Sequence, residues 1–162
     1  MITHKIFVCR ISYKNKRKKG ISRGAVVNSG FPRLMHKTKK RIMNQLVETI
    51  IKGIQEKKGS DICVIDLHEM DGAISNYFVV CQGNSPTQVE AITESVTDMV
   101  RNELGEKPLH VIGLENALWV AMDYNEVLVH IFLPDIRKYY DLEDLWKDAK
   151  QTAIPNLDDV SE

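Results

Sequence analysis

The segment Asn76-Tyr77-Phe78-Val79-Val80-Cys81 constrains the fold more than any other stretch of the chain. It is apolar without alternation and rich in aromatic and β-branched residues. A strand of that kind is buried on both faces, so it belongs in the middle of a sheet with material packed above and below. Ile62-Cys63-Val64-Ile65-Asp66-Leu67 has the same character and reads as a neighbouring strand. Gly72 lies between the two, in a connection too long for a tight hairpin. A fold with covering layers needs amphipathic helices, and the flanking sequence supplies them.

Ile42, Leu46, Ile50 and Ile54, with Val47 and Ile51 beside them, recur at helical spacing. They predict a helix over about 44–58, with Asn44 as N-cap, Lys57 and Lys58 favouring its C-terminal dipole, and Gly59 at C′. Gly83-Asn84-Ser85-Pro86-Thr87-Gln88 then predicts a second helix start. Ser85 caps, Pro86 sits at N1 where its missing N–H costs nothing, and Gln88 at N3 completes a capping box. Val89, Ile92, Val96, Met99, Val100 and Leu104 form the apolar face of that helix, and Gly105 ends it.

Three more strands follow, over Leu109–Ile112, Leu118–Tyr124 and Val127–Leu133. Asn125-Glu126 is a two-residue turn, with Asn tolerating positive φ. Pro134 ends the fifth strand, and Asp141 caps a last helix whose stripe is Leu142, Leu145, Trp146 and Ala149. The element order α-β-β-α-β-β-β-α predicts an α/β fold around a mixed five-stranded sheet with flanking helices.

Charge divides the chain. Residues 1–41 carry 13 Lys and Arg and no Asp or Glu, whereas the rest carries 9 basic and all 22 acidic side chains. The expected organisation is therefore a basic leader (1–41), a domain (42–153) and an acidic tail (154–162). A secretory signal does not fit the leader, because its charge follows the short apolar run Ile6–Ile11 instead of preceding it. Three readings stay open: an organelle transit peptide, a nucleic-acid-binding arm, or an artefact of a start site that lies at Met35 or Met43. No run approaches the 18 apolar residues of a membrane span. Cys9, Cys63 and Cys81 are too widely spaced for a metal knuckle and odd in number, which suits a reducing compartment.

Candidate chemistry is sparse. The Gly83-Asn84-Ser85 loop before a helix start could hold an anion, and a nucleotide-binding transferase is the alternative reading it permits. It lacks the Gly-Lys-Ser/Thr of a P-loop and the GxGxxG pattern. Asp66, His68, Glu69 and Asp71 could hold Mg²⁺ or form a solvated loop. The five His make no HxxxH or HxH, and no GxSxG elbow is present. The expectation is no catalytic set, no cofactor and no metal.

Aromatic residues are more telling. Alternation puts Trp119 and Asp123 of the fourth strand and His130 and Phe132 of the fifth on a single sheet face, with Tyr139 and Tyr140 just beyond. Such a face is too polar for a plain core and too aromatic for a plain solvated surface. It predicts a protein contact surface made of Trp119, Asp123, His130, Phe132, Tyr139 and Tyr140, with burial beneath a helix as the competing reading.

Asn76–Ser85 with Gln88-Val89 and Ala91-Ile92 resembles the first half of the ribosomal silencing factor family, the Iojap-related proteins. Trp119–Tyr124, Val127–Phe132 and Arg137-x-Tyr139-Tyr140-Asp141-Leu142-Glu143-x-Leu145-Trp146 are similar to its second half. The likeness spans about residues 44–150. It implies a fold like that of nucleotidyl transferases without their catalytic carboxylates. It also implies a non-enzymatic translational repressor that binds the large ribosomal subunit through ribosomal protein L-fourteen and blocks subunit joining during nutrient limitation. Homodimers are implied as well, and a bacterial cytoplasmic setting, with organellar import through the leader as the alternative. Asn125 stands where Gly is common in the family, and Asn tolerates the same backbone. An acidic domain suits a basic ribosomal protein, since opposite potentials speed encounter and fix orientation.

Overall fold

A computed structural model describes residues 45–156 of the chain. The basic leader, the Asn44 cap, the alternative start sites and most of the acidic tail lie outside the described residues. Helix α1 covers 45–56 and is followed by β1 (Ser60–Asp66) and β2 (Tyr77–Gln82). Then come α2 (Pro86–Leu104), β3 (His110–Ile112), β4 (Trp119–Asp123) and β5 (Val127–Phe132). Two short helices, α3 (Pro134–Tyr140) and α4 (Leu142–Leu145), lead to a final strand, β6 (Lys150–Ile154).

The sheet has six strands in the order β3-β4-β5-β2-β1-β6, not the five expected. β2 and β5 pair in parallel at the centre, from Tyr77 opposite Val127 to Gln82 opposite Phe132, and all other pairings are antiparallel. The additional strand is β6, antiparallel to β1 with Ile154 opposite Ile62 and Lys150 opposite Asp66. Its sequence is polar and its side chains are largely exposed, so hydrophobic patterning does not announce it. That composition is what an edge strand uses to discourage further pairing. The long last helix expected from Asp141 to Ala149 is also absent. Asp141 does cap, accepting from the Asp144 N–H at 3.2 Å, but only for the single turn of α4.

Each face of the sheet has its own cover. On the first face, Leu46, Ile50 and Ile54 of α1 and Val89, Ile92, Val96 and Val100 of α2 pack on Val79, Val120, Met122, Val129 and Ile131. On the second, Ile65, Phe78, Val80, Trp119, Leu128 and Phe132 are covered by Ile136, Tyr140, Leu142 and Trp146. The strand read as buried on both faces is so: Tyr77 to Cys81 are all buried.

The two long helices touch closely where α1 carries Gly53. A Cβ there would lie 2.9 Å from the backbone Cα of Val96, so only glycine fits. Gln88 does more than cap: its Nε2 donates to the carbonyls of Lys57 and Lys58 at 3.0 Å, tying the end of α1 to the start of α2. The left-handed residue that ends α1 is Lys58 (φ +55°), where Gly59 was expected. Gly59 is required by space, since a Cβ would fall 2.4 Å from Ile54 Cγ2. The hairpin turn has Asn125 at φ +69°, with its N–H bound by the Asp123 carboxylate at 2.7 Å.

The Gly53–Val96 contact sets a test. Alanine in a helix interior gains roughly 1 kcal/mol over glycine. Here the clash is with backbone, which must move, at about 1–3 kcal/mol or more. Gly53→Ala is expected to destabilise the protein despite the propensity gain, read as a lower urea midpoint. A raised midpoint would show that α1 and α2 do not approach this closely.

Candidate functional site

The register brings four of the predicted contact residues onto the second face, as alternation requires. Trp119 lies opposite Phe132, Ala121 opposite His130, and Asp123 opposite Leu128. Their exposure differs from the contact reading. Trp119, His130 and Phe132 are buried, the first at 5% exposure and the others at 1% or less. The reason is α3, which apolar spacing does not predict: Pro134 at its N1 starts a helix as well as ending β5. That helix folds back over the aromatic face.

The buried aromatics form a stacked floor. Trp119 lies on Phe132 with centroids 4.9 Å apart and 21° between planes, and Tyr140 lies 5.0 Å from Trp119. Phe78 meets His130 edge-on at 4.9 Å and Trp146 edge-on at 6.0 Å. Tyr139 stands edge-on to Tyr140 at 5.0 Å and is 79% exposed. Tyr140 is half-buried, and burial pushes its hydroxyl pKa up, with Tyr139 adding to the effect. Asp123 is half-buried at the sheet end, with His110 Nδ1 at 3.8 Å. Of the predicted set, Tyr139 is exposed, Asp123 and Tyr140 are half-buried, and Tyr140 packs inward on the cluster that holds Trp119 and Phe132.

Two features went unread in the sequence. Arg137 of α3 donates from Nε to Glu143 Oε1 at 2.9 Å, and its Nη2 binds the same oxygen, so one carboxylate locks α3 to α4. Leu145, expected in the buried stripe, is 68% exposed, because the one-turn helix turns it outward. The pair was legible only as an i, i+6 spacing, which no continuous helix would bring together.

His130 is an imidazole enclosed by aromatic rings. Its Nδ1 accepts from Trp119 Nε1 at 3.3 Å, which places the proton on Nε2 in the neutral ring. Nε2 has no hydrogen-bond partner among the described residues. Burial alone lowers its pKa to about 4, so the ring is neutral in the folded protein at pH 7.

Elsewhere the candidate chemistry is accounted for by local structure. In the Gly83-Asn84-Ser85 loop, Gly83 N–H donates to Phe132 O at 2.9 Å and Asn84 N–H to Gln88 Oε1 at 2.8 Å. Gln88 N–H donates to Ser85 Oγ at 3.2 Å. Three of the N–H donors at this loop and helix start are thus engaged internally. Asp66 accepts from the His68 N–H at 3.1 Å and lies 2.7 Å from its ring Nδ1. Burial raises the Asp66 pKa, and the His68 hydrogen bonds and charge outweigh that and leave it lowered. Among the described residues, no three His, Cys, Asp or Glu side chains gather as a metal-ligating group. Cys81 is buried, which pushes its thiol up to about 12, so it behaves as a core hydrophobe. No helix among the described residues is long and apolar enough to cross a membrane.

The described residues form a small α/β domain with a mixed sheet, an aromatic floor and an exposed tyrosine beside it. Comparison with known proteins names the class. The family described as "Ribosomal silencing factor during starvation" matches residues 40–162, and the chain belongs to it. Ribosomal silencing factor RsfS of Bacillus subtilis is 36% identical over 109 residues, covering 66% of this chain and 91% of the relative. RsfS of Halalkalibacterium halodurans is 34% identical over 113 residues, covering 70% and 95%. A mouse relative, "Mitochondrial assembly of ribosomal large subunit protein 1", is 24% identical over 102 residues, 62% of this chain and 44% of its own length. The crystal structure of a Chromobacterium violaceum protein superposes with a TM-score of 0.61 at 29% identity, covering 73% of this chain and 98% of that one. The family is one of ribosome silencing and translation regulation, and the relatives are named as silencing factors, not as enzymes.

His130 sets a pH test. Its folded pKa lies below its unfolded value near 6.5, so the unfolded chain binds the extra proton. Stability from this group is complete above about pH 6.5 and is lost as pH falls towards 4, by about 3 kcal/mol across the window. Urea unfolding at pH 7.5 and pH 4.5 should show a steeper loss for the wild type than for His130→Gln. Equal losses in the two proteins would mean that the ring is not buried neutral.

Proposed function

We propose that this protein is a translational repressor that binds the large ribosomal subunit through ribosomal protein L-fourteen and blocks subunit joining during nutrient limitation. The observation that carries the reading is the family match over residues 40–162. The surface supports it. Tyr139 projects from a short helix packed on the Trp119–Phe132 stack, an exposed aromatic of the type enriched in protein interfaces. Asp123 and the acidic domain suit a basic partner.

Tyr139, Tyr140 and Asp123 touch the partner in this reading. Trp119, His130 and Phe132 act through the two tyrosines, by fixing where α3 sits. The sheet is read as that of a nucleotidyl transferase without catalytic carboxylates, and the internally engaged Gly83-Asn84-Ser85 loop supports a role without catalysis. A homodimer is part of the same proposal.

Sedimentation of purified subunits with the protein tests it. The protein should travel with large subunits and reduce the fraction of joined ribosomes. If it does neither, the proposal fails. Tyr139→Ala should weaken subunit binding by about 2 kcal/mol or more with stability unchanged. Trp119→Ala should cost about 3–5 kcal/mol of stability and lose binding only as α3 loosens. Full binding by a folded Tyr139→Ala variant would remove that residue from the contact surface.

A further inference from the structure

The opposite side of the molecule carries a second surface that the ribosomal reading does not use. β3 is an edge of the sheet, and two hollows flank it on the side of the long helices. One, of about 480 Å³, has Val111 and Leu114 as its apolar wall and Glu90, Glu94 and Asp98 of α2 as its acidic wall. The other, of about 300 Å³, includes Leu46, Leu109, Glu106, Glu126 and a single cation, Lys107. Leu109 is 61% exposed and Leu114 43% exposed, two large apolar side chains that flank the short edge strand. Glu90, Glu94 and Asp98 recur every four residues and so form one ridge. Asp98 has a distant pairing with Arg101 at 3.9 Å.

The chain itself contains a segment of matching character. Residues 6–19 join an apolar run, Ile6-Phe7-Val8-Cys9-Arg10-Ile11, to the block Lys14-Asn15-Lys16-Arg17-Lys18-Lys19, with no acidic residue. The described chain starts at residue 45, next to Leu46, which itself lines the second hollow. The 25 residues between 19 and 45 can span on the order of 80 Å, far more than the length of a three-residue strand and its flanks. Tethering at that point also raises the local concentration of the segment at the groove.

We propose that residues 6–19 dock within the same chain in the α2–β3 groove. The apolar run lies against Leu109, Val111 and Leu114, and the basic block lies along Glu90, Glu94 and Asp98. Docking covers the exposed sheet edge and neutralises the acidic ridge. It stands independently of the ribosomal proposal, because the groove and the Tyr139 surface lie on opposite faces of the sheet.

Carbodiimide cross-linking of the full chain, mixed with an equal amount of isotopically labelled chain, tests this directly. The expected products join lysines of 14–19 to Glu90, Glu94 or Asp98 within one chain, and fade as salt rises. Cross-links between labelled and unlabelled chains would put a second copy in the groove and overturn the proposal. Cross-links spread over other carboxylates, or none from these lysines, would overturn it too. In a second arm, the combined variant Glu90→Gln, Glu94→Gln, Asp98→Asn should be cleaved by trypsin within residues 14–19 roughly fivefold faster or more. An unchanged cleavage rate would also overturn it.

Discussion

The parallel pairing of β2 with β5 is the constraint on which the rest of the structure depends. Six residue pairs join these strands, and every one of their side chains except that of Gln82 is buried. Two parallel strands cannot be joined by a hairpin, so the chain must leave the sheet and return. It does so through α2, β3 and β4, which places a 19-residue helix on the first face. The central strands are apolar on both sides, so the second face must be covered as well. The chain solves this with what remains after β5: two helices of seven and four residues and a polar edge strand.

That second cover is thin, and its thinness links core to surface. Helices of one or two turns have almost no stability of their own. They stay in place because Tyr140 and Ile136 rest on the Trp119–Phe132 floor and because Arg137 and Glu143 join them. Gln151 of β6 adds a bond from its side chain to the Glu143 carbonyl at 2.7 Å. The position of Tyr139 is thus set through its neighbour Tyr140 and by groups further below. His130 is 1% exposed, and a charged ring there would be buried without a partner, so its neutrality is part of what keeps the floor packed.

The parts of this architecture that periodicity encodes were legible, and the parts set by tertiary contact were not. α1, α2 and five strands announce themselves through apolar spacing, and Ser85, Gln88, Asn125 and Asp141 take the turn and cap positions their chemistry favours. β6 carries Lys150, Gln151 and Thr152, and only pairing to β1 makes it a strand. α3 has no buried residue and no side-chain cap, so neither pattern nor cap announces it. Alternation places Trp119, His130 and Phe132 on one face, but the exposure of that face depends on a helix that alternation does not report. Burial beneath a helix and a contact surface were the two readings open for this face. The structure buries Trp119, His130 and Phe132 on the face that α3 covers and leaves Tyr139 exposed.

The charge split acquires a geometry from the same topology. The 22 acidic side chains all lie after residue 41, and those of α2 fall on the helical side of the sheet, away from Tyr139. An acidic domain attracts basic partners over a Debye length of roughly 8 Å at physiological salt, but it does not distinguish one basic surface from another. Discrimination has to come from shape, and the two faces differ in shape. The second presents one exposed tyrosine on a short helix; the first presents a groove with an apolar wall and a ridge of carboxylates. A basic segment covalently attached at residue 45 meets the groove first, by proximity alone. Occupied in that way, the groove no longer competes for basic partners, and the aromatic face becomes the more selective of the two.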